Sequence, residues 1–448
     1  MQNIMFKGKK VLILGLGLNQ GGTGAAKFFA QSGAKVRVTD LKDAKTLKTS
    51  INQLKRFRNI KYILGKHRYE DIDWADLIIR NPALKPDNPY LKYARQKGKK
   101  IETDMGIFLQ LVKPEQIIGV TGTKGKSTTA SLIYEVLKNC KEGVLFAGNI
   151  GKSVLDTVEL IQTSTLVVLE ISSFQLEAFN EHKVAPKFAV LTNIYPDHLN
   201  YYKSMNDYIQ SKRLIFKYQQ RADFLFIRTG DEATDKPGFL KGLTGKKIYF
   251  SPKDLPKNFK PFLGGEHNKE NMAAALAIAK TFSFDHKKVL KVLKGFKGVE
   301  FRLQKIYDKK GIKIYNDSAA TNPNAAIEAL KSFPNSILIT GGVNKNLDYR
   351  DFAKAIEKYA KAVYFLEGDA TDIIISNLKT IHPLREQILN LVGIYNDLEK
   401  LLQDVKKNIH AGDIILFSPG AASFNLFQNE FDRGRKFNQA VAKVFKIN

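Results

Sequence analysis

Thr121-Gly122-Thr123-Lys124-Gly125-Lys126-Ser127 is the stretch on which the reading of this chain turns. An apolar run, Ile117 to Val120, leads into it and reads as a buried strand. Leu132, Ile133, Val136 and Leu137 follow at helical spacing, so Thr128 to Leu137 reads as a helix. Strand, glycine-rich turn and helix form the layout that holds a polyphosphate. Glycines let backbone N–H groups close on phosphate oxygens, and the helix N-terminus adds partial positive charge. Lys126 is placed to reach the terminal phosphates and the Ser127 hydroxyl to hold Mg²⁺. The run is not a strict P-loop: that pattern wants glycine where Val120 stands, and the nearest glycines are Gly119 and Gly122. The plain alternative is a strand-to-helix turn with incidental lysines.

The 448 residues suit roughly three domains of about 150 residues each. At 44% hydrophobic residues, sizeable cores are available. No apolar run is long enough to cross a bilayer. Met1 to Gly15 reads as a first strand, not a signal peptide. The single cysteine, Cys140, excludes a disulfide framework and suits a reducing cytoplasm. A net charge of +27 favours anionic partners, although the lysines are scattered and equally fit solvated faces.

Three α/β units follow one another. Residues 1–113 carry strands at Lys10–Leu14, Val36–Thr39, Leu77–Ile79 and near Lys100–Ile101. Residues 114–298 carry the phosphate loop, strands Leu166–Leu169 and Phe188–Leu191, and helices near 206–217 and 268–282. Residues 299–448 carry strands Ile312–Tyr315, Ser336–Ile339, Val363–Phe365 and Asp413–Phe417. Strands alternating with helices imply parallel sheets. The expected fold is therefore α/β, with a Rossmann-like first unit, a P-loop ATPase-like central unit and a Rossmann-like last unit.

In the first unit, Gly15-Leu16-Gly17-Leu18-Asn19-Gln20-Gly21-Gly22 resembles the dinucleotide fingerprint with one residue too many, and Asp40 closes the next strand where an acid can bind ribose. In the central unit, Glu170 ends an apolar strand where Mg²⁺ is commonly held. His198 lies just past another strand. Lys212 shares a helical stripe with Tyr208, Ile215 and Phe216. Buried there, its amine would lose charge and could take up CO₂ to become an anionic carbamate ligand. At the stripe's edge it would instead snorkel to solvent. Asn268 and Asn271 sit one helical turn apart and can face one ligand, or Asn268 can serve as an N-cap.

Taken together the motifs resemble the Mur ligase family, the ATP-dependent amide-bond formers of peptidoglycan synthesis. The residues are Thr121 to Ser127, Gly148-Asn149-Ile150-Gly151, Glu170 to Leu176, Thr192 to His198, Lys212, Gly265-Glu266-His267-Asn268 and Arg302. Asn316 to Asn322, Ser418 to Phe424 and Asp432-Arg433-Gly434 are similar to the D-glutamate-adding member.

The resemblance implies roles at matching positions. Gly15, Leu16, Gly17, Leu18, Asp40, Asn81 and Asn149 would hold the UDP substrate. Gly122, Thr123, Lys124, Gly125, Lys126, Ser127 and Thr128 would hold ATP phosphates, with Asn268, Asn271, Arg302 and Asp317 on adenine and ribose. Ser127 and Glu170 would bind one Mg²⁺, and His198 with carbamylated Lys212 a second. Catalysis would rest on Lys126, Glu170, His198 and Lys212, and the incoming amino acid on Thr321, Lys345, Ser423 and Phe424.

The implied reaction joins UDP-N-acetylmuramoyl-L-alanine to D-glutamate through an acyl phosphate in the cytoplasm. The implied partners are small molecules, with no nucleic acid, no membrane insertion and a monomeric chain. Ala319 stands where this member commonly has lysine, Phe301 where histidine is usual, and Glu430-Phe431 reverses an aromatic-then-acid order. These departures keep L-glutamate or another amino acid open as the substrate. A basic P-loop protein that binds nucleic acid, or a dehydrogenase, is the rival from another class.

Overall fold

The computed structural model describes residues 5–17, 20–82, 84, 87–148, 153–196, 201–263, 265–344, 347–381, 390–423 and 426–446. Three sheets carry the chain. The first has β1 (Lys10–Leu14), β2 (Lys35–Asp40), β3 (Ile60–Leu64), β4 (Leu77–Arg80) and β5 (Lys100–Glu102) in the order β3-β2-β1-β4-β5. All pairs are parallel, and the order is the Rossmann order without its sixth strand. The second has β6 (Ile117–Thr121), β7 (Val144–Gly148), β8 (Leu166–Glu170), β9 (Phe188–Leu191), β10 (Phe224–Arg228) and β11 (Lys246–Phe250) in the order β11-β10-β9-β6-β8-β7. It too is wholly parallel.

β6, β8 and β9 are buried at every position, which is why they read as unbroken apolar runs and not as alternating ones. β7, β10 and β11 were not singled out from sequence. Their residues are less completely buried, and β11 carries exposed lysines.

Met1–Phe296 forms one compact unit and Lys297–Asn448 another. The first two sheets share a core in that first unit. Met105, Phe108 and Leu109 of the Asp104–Leu111 helix belong to the same apolar cluster as Val154, Leu155, Leu176 and Phe179. The sheets on either side of 113/114 therefore pack into one body.

The second unit has β12 (Gln304–Lys309), β13 (Ile312–Asn316), β14 (Ser336–Gly341), β15 (Ala360–Leu366), β16 (Asn390–Tyr395) and β17 (Ile414–Phe417), ordered β12-β13-β17-β14-β15-β16. Only the β12·β13 pair is antiparallel. One face packs under helices 323–332, 350–359 and 369–381 through Leu330, Phe352, Ile356 and Ile374. The other packs under 398–407 and 430–445 through Leu401, Leu402, Phe437 and Val441. No described helix is long and apolar enough to cross a membrane.

Two helix limits differ from expectation. The helix read over 206–217 is Met205–Arg213, capped by Ser204, whose side chain accepts from Asp207 N–H. Ile215 and Phe216 are buried, but in the turn beyond it. The alanine-rich helix runs Glu266–Thr281 with Gly265 as its N-cap, so Asn268 is an inward-facing first-turn residue and not the cap.

Candidate active site

β6 delivers the chain to the sheet's C-terminal edge, where Gly122 and Gly125 take left-handed conformations with φ of 145° and 80°. A Cβ on Gly122 would lie 2.0 Å from Thr192 Oγ1, and one on Gly125 would lie 2.5 Å from Asn271 Oδ1. Only glycine permits both the turn and these close approaches. The segment after β9 then clamps the loop. Thr123 N–H donates to Asn193 O at 2.9 Å and Lys124 N–H to Asn193 Oδ1 at 2.8 Å. Thr192 Oγ1 and Asn193 Nδ2 both donate to Lys124 O, at 2.7 and 3.0 Å. Thr123 Oγ1 lies 3.0 Å from the Tyr208 hydroxyl and accepts from Tyr195 N–H at 3.0 Å. The loop is thus preorganised by side chains from two further elements.

Lys126 opens the Lys126–Cys140 helix and donates from Nζ to Thr123 O at 2.9 Å, folded back over the loop. Ser127, in the same turn, is buried. On the far side Thr129 Oγ1 donates to buried Asn271 Oδ1 at 3.0 Å, tying this helix to Glu266–Thr281. Lys124 is exposed, and Thr128 half-buried.

Glu170 pairs in register with Val120, which sets its carboxylate at the sheet edge beside the loop with 1% exposure. Lys212 is equally buried at 1%, which excludes the snorkelling alternative. Its Nζ donates to Thr121 Oγ1 at 3.1 Å and Gly122 O at 3.0 Å, and lies 5.3 Å from the Tyr208 ring centroid. The helical face aims this amine at the base of the phosphate loop. His198 lies outside the described residues. Among the described residues no group of three or more His, Cys, Asp or Glu side chains forms a metal cluster. The oxygen donors that do stand there, Glu170 and Ser127, are of the hard type Mg²⁺ takes.

At the edge of the first sheet, Asp40 does more than await a ribose. Its Oδ2 accepts Gly17 N–H at 2.8 Å and its Oδ1 accepts Lys42 N–H at 2.9 Å. The residue shapes the turn, leaving only its remaining lone pairs to a ligand. Leu16 is buried in the core, so its side chain is not open to a ligand. Asn81 stands beside Gly15: its N–H donates to Leu14 O at 3.1 Å. Leu18 and Asn149 lie outside the described residues.

In the second unit, loops after β13, β14 and β17 meet where the strand order reverses, the place α/β sheets offer to ligands. Gly420 N–H donates to Ala320 O at 2.9 Å, and Val343 bridges Ala422. Asp317 accepts from Leu303 N–H at 3.1 Å and from the Ser418 hydroxyl at 2.8 Å. Burial pushes its carboxyl up to about 7. Exposed Arg302 sits between Phe301 and Leu303, whose φ values of 62° and 43° are left-handed and strained for such residues. Thr321 is half-buried just before a helix, and Ser423 is buried with no hydrogen-bond partner for its Oγ among the described residues. Lys345 and Phe424 lie outside the described residues.

The sequence reading assigned no role to Arg433. Wholly buried, it donates to Ser318 Oγ, Ser318 O and Ala421 O at 3.1, 2.8 and 3.0 Å. Burial pulls its guanidinium down to about 9, against the charges of Glu430 and Asp317. The only signal of Arg433 in sequence was its place in the Asp432-Arg433-Gly434 motif. The Thr192-Asn193 clamp had one, a polar pair straight after an apolar strand.

Residues 9–103 match the MurD-like Mur ligase N-terminal domain, 120–260 the Mur ligase middle domain, and 301–420 the Mur ligase glutamate ligase domain. The chain is 36% identical over 470 residues to the UDP-N-acetylmuramoylalanine–D-glutamate ligase of Roseiflexus sp. (strain RS-1), covering 97% of this chain and 98% of that protein. It is 31% identical over 534 residues to the ligase of the same name from Treponema pallidum, covering 99% of each. Among solved structures it resembles UDP-N-acetylmuramate-alanine ligase MurC of Thermotoga maritima, at 21% identity, TM-score 0.58, and 97% and 99% coverage. The murein peptide ligase mpl of Psychrobacter arcticus aligns with TM-score 0.54 at 15% identity, with the same coverage. These two share its fold.

Proposed function

The chain belongs to the Mur ligase family, the ATP-dependent ligases of peptidoglycan synthesis, and on that footing we propose that it joins UDP-N-acetylmuramoyl-L-alanine to D-glutamate. The observation that carries this reading is the likeness to ligases of that name over 97% of the chain. The braced loop, with buried Glu170 and Lys212 beside it, supports the nucleotide end.

In this reading the alanyl carboxylate attacks the γ-phosphorus of ATP, giving an acyl phosphate and ADP. The glutamate amine then attacks the acyl carbon, and phosphate leaves from the tetrahedral intermediate. The protein neutralises charge and aligns the reactants; it forms no covalent bond to them. The loop N–H groups from Gly125 to Thr128 cradle the phosphates, those of Thr123 and Lys124 being held by Asn193, and Lys126 swings from Thr123 O onto them. Ser127 and Glu170 would hold Mg²⁺, which would supply charge stabilisation for phosphoryl transfer. His198 and Lys212 would hold a second ion. As observed, the Lys212 amine is a hydrogen-bond donor, so it serves as a ligand only after its neutral form adds CO₂ and releases a proton to give the carbamate.

Asn268, Asn271, Arg302 and Asp317 take the adenosine contacts. Gly15, Leu16, Gly17, Leu18, Asp40, Asn81 and Asn149 take the UDP substrate. Thr321, Lys345, Ser423 and Phe424 take glutamate, for which the unengaged buried Ser423 hydroxyl is the supporting observation. The domain limits 1–113, 114–298 and 299–448, a monomeric cytoplasmic enzyme and small-molecule partners without nucleic acid complete the reading.

The test is phosphate release from ATP with UDP-N-acetylmuramoyl-L-alanine and, in parallel, D-Glu, L-Glu, lysine and diaminopimelate. D-Glu should support turnover above all others. Release that does not depend on an amino acid would sink the assignment, and preference for L-Glu would correct its stereochemistry.

A further inference from the structure

Arg80 ends β4, immediately before Asn81, which is given above to the UDP substrate, and the turn that Asn81 opens. Its guanidinium is nearly buried and reaches two ways. Nη1 donates to Leu84 O at 3.5 Å, bracing that turn, and Nη2 pairs with Glu177 Oε2 at 2.9 Å, across the seam between the first two sheets. Glu181 adds a longer contact at 3.7 Å. The other oxygen of Glu177 accepts the Tyr201 hydroxyl at 3.2 Å. Burial and the Glu177 charge push that phenol up to about 12, so it remains a donor at any assay pH.

Aromatic contacts continue from Tyr201. Its ring centroid lies 4.5 Å from Phe174 and 5.1 Å from Tyr202. Tyr202 lies 5.4 Å from Tyr208, whose hydroxyl meets Thr123 of the phosphate loop at 3.0 Å. Packed rings and a charge-assisted bond therefore run without a gap from the UDP turn to the nucleotide loop.

We propose that Arg80, Glu177 and Tyr201 are positioning residues through which occupancy of the UDP-substrate turn is felt at the nucleotide loop. A partly buried ion pair adds little stability over an apolar contact of the same size, whereas it fixes geometry. Arg80 fixes the turn and, through Glu177 and the rings, the hydroxyl that Thr123 engages. The two substrates must bring carboxylate and γ-phosphate into line, and this connection lets one bound substrate order the site of the other. The inference rests on the proposed assignment of Asn81 and its turn to the UDP substrate.

The test is calorimetric titration of a non-hydrolysable ATP analogue with Mg²⁺, with and without saturating UDP-N-acetylmuramoyl-L-alanine. In the wild type the nucleotide Kd should tighten at least about fivefold when the UDP substrate is bound, the lower end of ordinary coupling between sites. Arg80→Met should bring the ratio to within about twofold of unity while Kd for the analogue alone stays unchanged, as should Tyr201→Phe, which keeps the ring and removes only the hydroxyl. The Arg80→Met/Glu177→Gln pair should lose no more coupling than either single change. Tyr201→Phe serves alone if Arg80→Met does not fold. A wild-type ratio of one, or an unchanged ratio in the variants, would overturn the inference while leaving the ligase reading intact. Failure of the wild type to bind the UDP substrate would sink both.

Discussion

Lys212 shows what a single residue's surroundings decide. Its spacing with Tyr208 fits a buried amine or a snorkelling one, and only burial separates them: Nζ is out of solvent and bonded to Thr121 and Gly122. Lys212→Ala should lower kcat by at least about 100-fold, on the scale of losing a metal-site group. Added bicarbonate should not restore it, since no amine remains to carry CO₂. Near-normal turnover in that variant would remove the carbamate from the mechanism. Asp317 makes a second prediction. Its folded carboxyl titrates near about 7, against an ordinary value of 3.8. Between those values the folded chain binds more protons than the unfolded chain, so stability from this group falls as pH rises and its burial cost is complete above about 7. The Tm of Asp317→Asn relative to wild type should rise between about pH 5 and about pH 8, read by calorimetry. A constant difference would mean that the folded carboxyl is already ionised at the lower pH.

Among elements, the two helices behind the phosphate loop matter most. Asn271 binds Thr129 across them, and its side chain fills the space that a Cβ on Gly125 would need. Asn271→Ala strands a buried hydroxyl and opens that space, so it should cost about 1–3 kcal/mol of stability. The KM for ATP should rise with kcat less affected. Urea unfolding and initial-rate kinetics check the two parts, and an unchanged ATP KM would show that the loop holds its shape without this tie. The strand ends around the loop were legible because parallel strands buried on both faces are apolar runs with a polar stop, as at Leu166–Glu170. The end of the Met205–Arg213 helix was not, since Ile215 and Phe216 keep the apolar period after the backbone has turned.

At the scale of the molecule, three sheets follow one another in the chain, and the first two pack into one compact unit. Residues 1–113 alone would expose Met105, Phe108 and Leu109, which pack in a core shared with the second sheet. That fragment should bind hydrophobic dyes and melt without cooperativity. Residues 297–448 carry their own cores on both faces of their sheet and should unfold in one cooperative step when expressed alone. Circular-dichroism melting of both fragments tests this, and a cooperative 1–113 fragment would show that the shared core is dispensable.

The phosphate loop, the buried strands around it and the helix that follows were determined by sequence, because they depend on neighbours within about ten positions. Which side chains meet depends on contacts far apart in the chain. Asn193 on the loop backbone, Asp40 closing its own turn, Arg433 sealed under Ser318 and Ala421, and Arg80 paired with Glu177 were decided by the tertiary structure. A polar side chain buried within reach of a partner must bond to it, and sequence carries no measure of that reach.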